Sequence, residues 1–158
     1  MILSTQQLEE LTRSLTRRYQ AWQELITPDP DRRVYKQVWD DPYANAWLIC
    51  WSRDHDTGWH DHDDAAAVIS VLHGQVRDER MRLSGEPVSR VIGQGETFYV
   101  PPAAIHRVQH TGHGPAMTIH CYSPPLRRTG TYSVGAAGEL LRLPQPFEQE
   151  LRAQHALL

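Results

Sequence analysis

The chain has 158 residues, 40% of them hydrophobic and 22% charged, with a formal net charge of −3. That is the size and balance of one soluble globular domain, and it gives no reason to expect nucleic acid or an anionic membrane surface as partner. No apolar run approaches the roughly 20 residues of a membrane span, and the opening MILSTQQLEE lacks a signal-peptide apolar core, so a cytoplasmic protein is expected.

Ser4 to Ile26 predicts a helix: Ser4 and Gln7 form a capping-box pattern, and Leu8, Leu11, Leu15, Tyr19, Trp22 and Leu25 recur at helical spacing. Pro28 and Pro30 end it. From Val34 to Tyr122 the pattern changes to short apolar runs, among them Ala46–Trp51, Ala66–Leu72, Gln75–Leu83, Thr97–Val100 and Met117–Tyr122. Turn signals such as Asp40-Asp41-Pro42, His73-Gly74 and Gly93-Gln94-Gly95 separate them, which predicts an antiparallel sandwich or barrel. A Pro-rich tail follows, with a last short helix expected over Pro146–Leu157. The reading divides the chain into an N-terminal helical segment (1–30), a barrel core (31–126) and a C-terminal extension (127–158) packing on the barrel. Cys50 and Cys121 read as core thiols rather than a disulfide.

Nine histidines are many for this length. His60 and His62, in GWHDHDDAAAV, sit one residue apart, so on a strand both point to one face and can share an ion while Asp61 points away. Alone, this pattern is weak and fits two surface histidines equally well. It is followed by Gly74 and then by GETFYVPPAAIH, in which Gly95 precedes Pro101 by six positions and His106 follows Pro101 by five. The two segments together resemble the paired signatures of the cupin family, small antiparallel β-barrels of the jelly-roll type. His60, His62 and Gly74 fit the first signature; Gly95, Pro101 and His106 fit the second. Ala67 stands where the family usually has a glutamate ligand, Ala103 where it has glycine and His110 where it has asparagine.

The missing glutamate has a chemical consequence. Three neutral imidazoles leave a divalent ion its full charge and open positions, which suits a substrate that brings an anionic ligand such as a thiolate. Asp64 shares the facing of His60 and His62 and is a candidate fourth ligand.

The flanks Asn45-Ala-Trp-Leu-Ile-Cys-Trp51, His106-Arg-Val108 and His120-Cys-Tyr-Ser-Pro-Pro125 resemble cysteine dioxygenase, the three-histidine iron cupin that adds both atoms of O₂ to a thiol. The resemblance implies a single cupin barrel, mainly β, with an N-terminal helix. It implies Fe(2+) held by His60, His62 and His106, and a catalytic row of Thr118, His120 and Tyr122. Their i, i+2, i+4 spacing puts the row on one strand face, with Met117, Ile119 and Cys121 facing the opposite, hydrophobic layer. The family's Tyr-x-Arg segment matches Tyr35-Lys36-Gln37, so Tyr35, Gln37 and Trp51 are the expected substrate-binding residues. Gln37 in place of arginine resembles the 3-mercaptopropionate dioxygenase branch, whereas the Tyr122-Ser-Pro-Pro125 ending leans toward the cysteine branch. Arg33, Lys36, Arg107 and Arg127 are the candidate cations for a substrate carboxylate. The cysteine that animal relatives link covalently to the active-site tyrosine is Ala67 here, so no such link to Tyr122 forms. The expected partners are a small thiol and O₂. A metal cupin acting on a non-thiol molecule and a non-catalytic binding cupin are the alternatives that a thiol screen separates.

Overall fold

The computed structural model describes residues 2–152. Its first element, α1 (Thr5–Arg18), begins at the expected capping box. The Ser4 hydroxyl accepts from the Gln7 N–H (3.3 Å), and the Gln7 side chain accepts from the Ser4 N–H (2.9 Å). The helix stops at Tyr19 rather than at Ile26, and Trp22–Glu24 form a separate 3-10 turn. That tighter turn still aims Trp22 and Ile26 inward, which is why the apolar spacing ran on past the helix; Leu25 is left exposed.

Eleven strands follow among the described residues: β1 (Val34–Asp40), β2 (Asn45–Trp51), β3 (His60–Asp61), β4 (Ala66–His73), β5 (Gln75–Arg80), β6 (Val88–Gly93), β7 (Thr97–Val100), β8 (His106–Thr111), β9 (Ala116–Ser123), β10 (Arg128–Val134) and β11 (Leu140–Pro146). They pair antiparallel into two sheets, ordered β1-β2-β9-β4-β7 and β11-β10-β3-β8-β5-β6. This is the cupin architecture the two signatures implied.

Two apolar layers hold it. On β2, Trp47, Ile49 and Trp51 enter the barrel, while Ala46, Leu48 and Cys50 face α1 with Leu8, Leu15, Met117, Ile119 and Cys121. Strands β2 and β9 are therefore buried along their whole length, one face against each layer. Both cysteines are free and buried in the helix-side layer, where burial pushes each thiol up to about 12.

The C-terminal segment differs from the expectation of an irregular Pro-rich tail. Residues 128–146 form the hairpin β10–β11, which lies at the edge of the six-stranded sheet. Pro144 and Pro146 are tolerated because β11 is an edge strand whose outer side donates no ladder hydrogen bond. The last helix, α2, runs Phe147–Arg152, and the remainder of the helix expected to Leu157 lies outside the described residues.

Two signature positions can be read in backbone terms. Gly74 has φ +69°, and a Cβ there would lie 2.6 Å from the Pro115 carbonyl oxygen, so no side chain fits. Ala103, which replaces the glycine of the second signature, is held at φ +60°. The Ala103→Gly variant should therefore be more stable by roughly 0.5–1 kcal/mol, read as a higher urea midpoint at unchanged slope.

Candidate metal centre

The hydrogen-bond ladder brings His60 and His106 together as direct cross-strand partners on β3 and β8. His62 follows immediately after β3 and turns its ring to the same side. The His62 Nε2 lies 3.1 Å from His60 Nε2 and 3.3 Å from His106 Nε2. All three rings are at most 2% exposed, and they are the one cluster among the described residues whose ligand atoms converge for a metal ion.

Each ring's other nitrogen helps decide where its lone pair points. His106 Nδ1 donates to the Asp78 carboxylate at 2.7 Å, and His60 Nδ1 donates to the Gly58 carbonyl at 3.0 Å. With those protons on Nδ1, both Nε2 lone pairs face the common centre. Burial, then the neighbouring imidazole of His60, pushes His106 down to about 4 despite the Asp78 carboxylate, and burial holds His62 well below its usual value. At neutral pH His62 and His106 are therefore unprotonated, the form that a metal ion needs. Two bonds of about 2.1 Å at a right angle would set the nitrogens about 3.0 Å apart, so the observed spacings fit a divalent ion carrying three imidazoles on one face. Asp64 is not in the cluster; it sits in an exposed turn after His62.

Asp61 points the opposite way from its histidine neighbours and into a dense network. Its carboxylate accepts from Arg142 Nε (2.7 Å) and Nη2 (2.8 Å), Tyr132 Oη (2.6 Å) and the Asp63 N–H (2.9 Å). Burial alone would raise this carboxyl, but the Arg142 and Tyr132 hydrogen bonds outweigh it and hold the group well below the usual carboxylate range.

Beside the histidines, β9 carries the row of Thr118, His120 and Tyr122, all at most 3% exposed. Trp51 Nε1 donates to Thr118 Oγ1 at 2.8 Å. Thr118 Oγ1 is 2.9 Å from His120 Nε2, and His120 Nδ1 is 3.1 Å from the Tyr122 hydroxyl. The indole can only donate, so the Thr118 hydroxyl accepts from it and directs its own proton to His120 Nε2. Burial, then the other imidazoles, holds His120 well below its usual value, so the ring is neutral and carries its proton on Nδ1, donating to Tyr122. The phenol oxygen accepts that hydrogen bond. Tyr122 also packs edge-on against His62, ring centroids 5.0 Å apart.

The expected substrate residues are placed less uniformly. Trp51 is fully buried, with its N–H turned to Thr118. Tyr35 is half-buried and lies 6.0 Å, edge-on, from the Trp47 ring. Gln37 pairs across the sheet with Trp47, but its side chain is exposed. Of the candidate cations, Lys36 is exposed, Arg127 pairs with Asp40 at 2.9 Å, and Arg107 pairs with Asp56. Arg33 is buried, 4.9 Å over the Trp51 ring, and donates to the Asp56 carbonyl.

Sequence reasoning passed over Asp78, Arg142 and Phe147. Asp78 could have been found, since it follows the inward Val76 by two positions on one strand and must share its face. Arg142 and Phe147 could not, because each acts from the unforeseen hairpin or the helix behind it.

A family model described as cysteine dioxygenase type I matches residues 2–134. The cysteine dioxygenase type 1 of Danio rerio is 28% identical over 98 residues, 56% of this chain and 49% of that protein. The human protein of the same name is 29% identical over 90 residues, 51% of this chain and 45% of that one. The chain thus spans about half the length of the curated relatives it matches. Among solved structures, a Thermus thermophilus protein matches with a TM-score of 0.58 at 17% identity, over 66% of this chain and 94% of that one. A Klebsiella pneumoniae protein with a double-stranded β-helix domain matches with a TM-score of 0.56 at 13% identity, over 65% and 80%. These likenesses establish the barrel fold.

Proposed function

The chain belongs to the cysteine dioxygenase type I family, and from that membership and its three converging imidazoles we propose that it is an Fe(2+)-dependent thiol dioxygenase. Its substrate is a small thiol bearing a carboxylate, either L-cysteine or a 3-mercapto acid such as 3-mercaptopropionate. The reaction is R–SH + O₂ → R–SO₂⁻ + H⁺: two S–O bonds form, the O–O bond breaks, and sulfur supplies the electrons that reduce O₂. The observation that carries the proposal is the cluster of His60, His62 and His106, with no carboxylate ligand beside it among the described residues.

Those three residues would hold the iron, which when bound would supply Lewis acidity toward the thiol and the redox chemistry that activates O₂. The rest is orientation by this chain. Asp78 and the Gly58 carbonyl fix the tautomers that direct Nε2 of His106 and His60 to the centre. The indole of Trp51 sets the direction of the Thr118–His120–Tyr122 row, so that the phenol arrives at the substrate as a hydrogen-bond donor. Tyr35 and Gln37 place the carboxylate. Gln37 offers a neutral hydrogen bond where a charge-assisted pair would need arginine, and Arg33, buried behind Trp51, supplies the positive charge on that side.

The test is anaerobic loading of the purified protein with Fe(2+), followed by O₂ uptake and product mass with cysteine, 3-mercaptopropionate and cysteamine separately. We expect uptake with a carboxylate-bearing thiol, a sulfinate product heavier by two oxygen atoms, and little turnover of cysteamine. The preferred thiol ranks the two acids. No uptake with any thiol, in protein shown to hold iron, would overturn the proposal in favour of another cupin chemistry.

A further inference from the structure

We propose that Phe147, on the C-terminal helix α2, is a positioning residue that clamps the ring of Tyr122; the consequence for turnover rests on the thiol dioxygenase reading above. Within its own sheet Tyr122 is held at its hydroxyl by His120, and its direct cross-strand partners are small or engaged elsewhere. Its cross-strand partner on β4 is Ala67, which offers only a methyl group. Its partner on β2 is Asn45, whose side chain is engaged at both ends with the Leu126 main chain, at 3.0 Å each.

The ring is gripped from across the barrel instead. His62 meets it edge-on at a centroid distance of 5.0 Å and 78°, and Phe147 meets it at 5.4 Å and 70°. Phe147 is backed in turn by Trp47, at 5.6 Å and 79°. It is 3% exposed, Leu151 on the same short helix is fully buried, and the Phe147 N–H donates to the Arg127 carbonyl at 3.1 Å. That bond ties the start of α2 to the start of β10, so the clamp is set by the same hairpin that brings Arg142 to Asp61.

Residues 135–152, which carry this helix, lie beyond the part of the chain that the family match covers. A hydroxyl that must stay 3.1 Å from His120 Nδ1 and still donate to substrate tolerates little tilting of the ring; a flip about the ring axis leaves the oxygen in place but reports how tightly the ring is packed. Edge-to-face contacts from His62 and Phe147 suppress both tilting and flipping, and removal of Phe147 leaves a gap of ring size next to Tyr122.

The experiment compares wild type, Phe147→Ala and Phe147→Leu in two independent readouts. The first is the flip rate of the Tyr122 ring, from NMR of protein with labelled tyrosine, in the diamagnetic zinc-loaded state, with Tyr122→Phe for assignment. The second is steady-state kinetics of the iron-loaded protein with its preferred thiol. For Phe147→Ala we expect a flip rate raised at least about tenfold and kcat lowered about tenfold, with KM within about threefold. Metal content should be unchanged, and Phe147→Leu, which keeps most of the volume, should fall between in both readouts. If Phe147→Ala does not fold, Phe147→Leu against wild type carries the comparison. An unchanged flip rate, or a raised one with unchanged kcat, would overturn the assignment. If the wild type turns over no thiol, it is the functional reading that fails, and the flip rate alone then decides whether Phe147 holds Tyr122.

Discussion

His106→Ala is expected to give a folded protein that retains no iron through gel filtration and takes up no O₂ with any thiol. His106 is the member of the three-histidine cluster tied into both sheet ladder and charge network: it is fully buried, in register with His60, and bonded through Nδ1 to Asp78. Its removal leaves two imidazoles, too few for a mobile divalent ion against buffer and thiol in solution. Folding should survive, because Asp78 keeps a second partner in Arg80 at 2.8 Å and is not left as a buried unpaired charge. The expected stability loss is about 1–3 kcal/mol, from the cavity and the lost hydrogen bond. Asp78→Asn separates the two effects: the ring stays, its orientation loosens, and metal retention should weaken about 10–100-fold. Elemental analysis after desalting, a thermal melt and an oxygen electrode decide the matter. Full iron occupancy with turnover in His106→Ala would place the reactive centre elsewhere.

The parts of this molecule that could be read from sequence are those governed by local rules. The Ser4–Gln7 cap needs only a hydroxyl and an amide three residues apart. The shared facing of Thr118, His120 and Tyr122 needs only the two-residue strand period, and the structure links the three in one hydrogen-bonded row. His60 and His62 could be paired for the same reason; His106 joined them only through a resemblance, since the β3–β8 pairing that makes it a neighbour spans more than forty residues. The hairpin β10–β11 was illegible because its strand signal is diluted by Gly130, Pro144 and Pro146, and because β11, exposed along most of its length, shows no buried alternation. Everything that depends on that hairpin was lost with it, namely the Arg142–Asp61 pair and the seat of Phe147. Helix length failed for a different reason: Trp22 and Ile26 keep contact with the sheet through a 3-10 turn, and apolar spacing alone does not separate the two geometries.

Asp61→Ala should be the most destabilising change outside the barrel core, by about 3 kcal/mol, the low end for a broken buried ion pair. The low end applies because Arg142 keeps 33% of its side-chain surface in water and can resolvate, whereas Asp61 is 5% exposed. The carboxylate joins two segments: the hairpin, through Arg142, Tyr132 and the Gly130 N–H at 3.2 Å, and its own turn, through the Asp63 N–H. Alanine deletes all of these at once and leaves the hairpin joined to the strand that carries His60 by backbone pairing alone. The two imidazoles that flank Asp61 are then held less firmly, so metal affinity should fall at least about tenfold, measured by competition with a coloured chelator. Asp61→Asn keeps the shape and the acceptor oxygen but loses the charge, and it should lie between the two in both urea midpoint and metal affinity. Arg142→Ala reports on the same bond from the other side and should match Asp61→Asn more closely than Asp61→Ala, because Tyr132 and the two backbone donors still reach the carboxylate. A loss of stability in Asp61→Ala with metal affinity unchanged would mean that the ladder to β8 alone fixes the histidines. A matching loss in both means that the charge network behind the strand holds the metal centre in front of it.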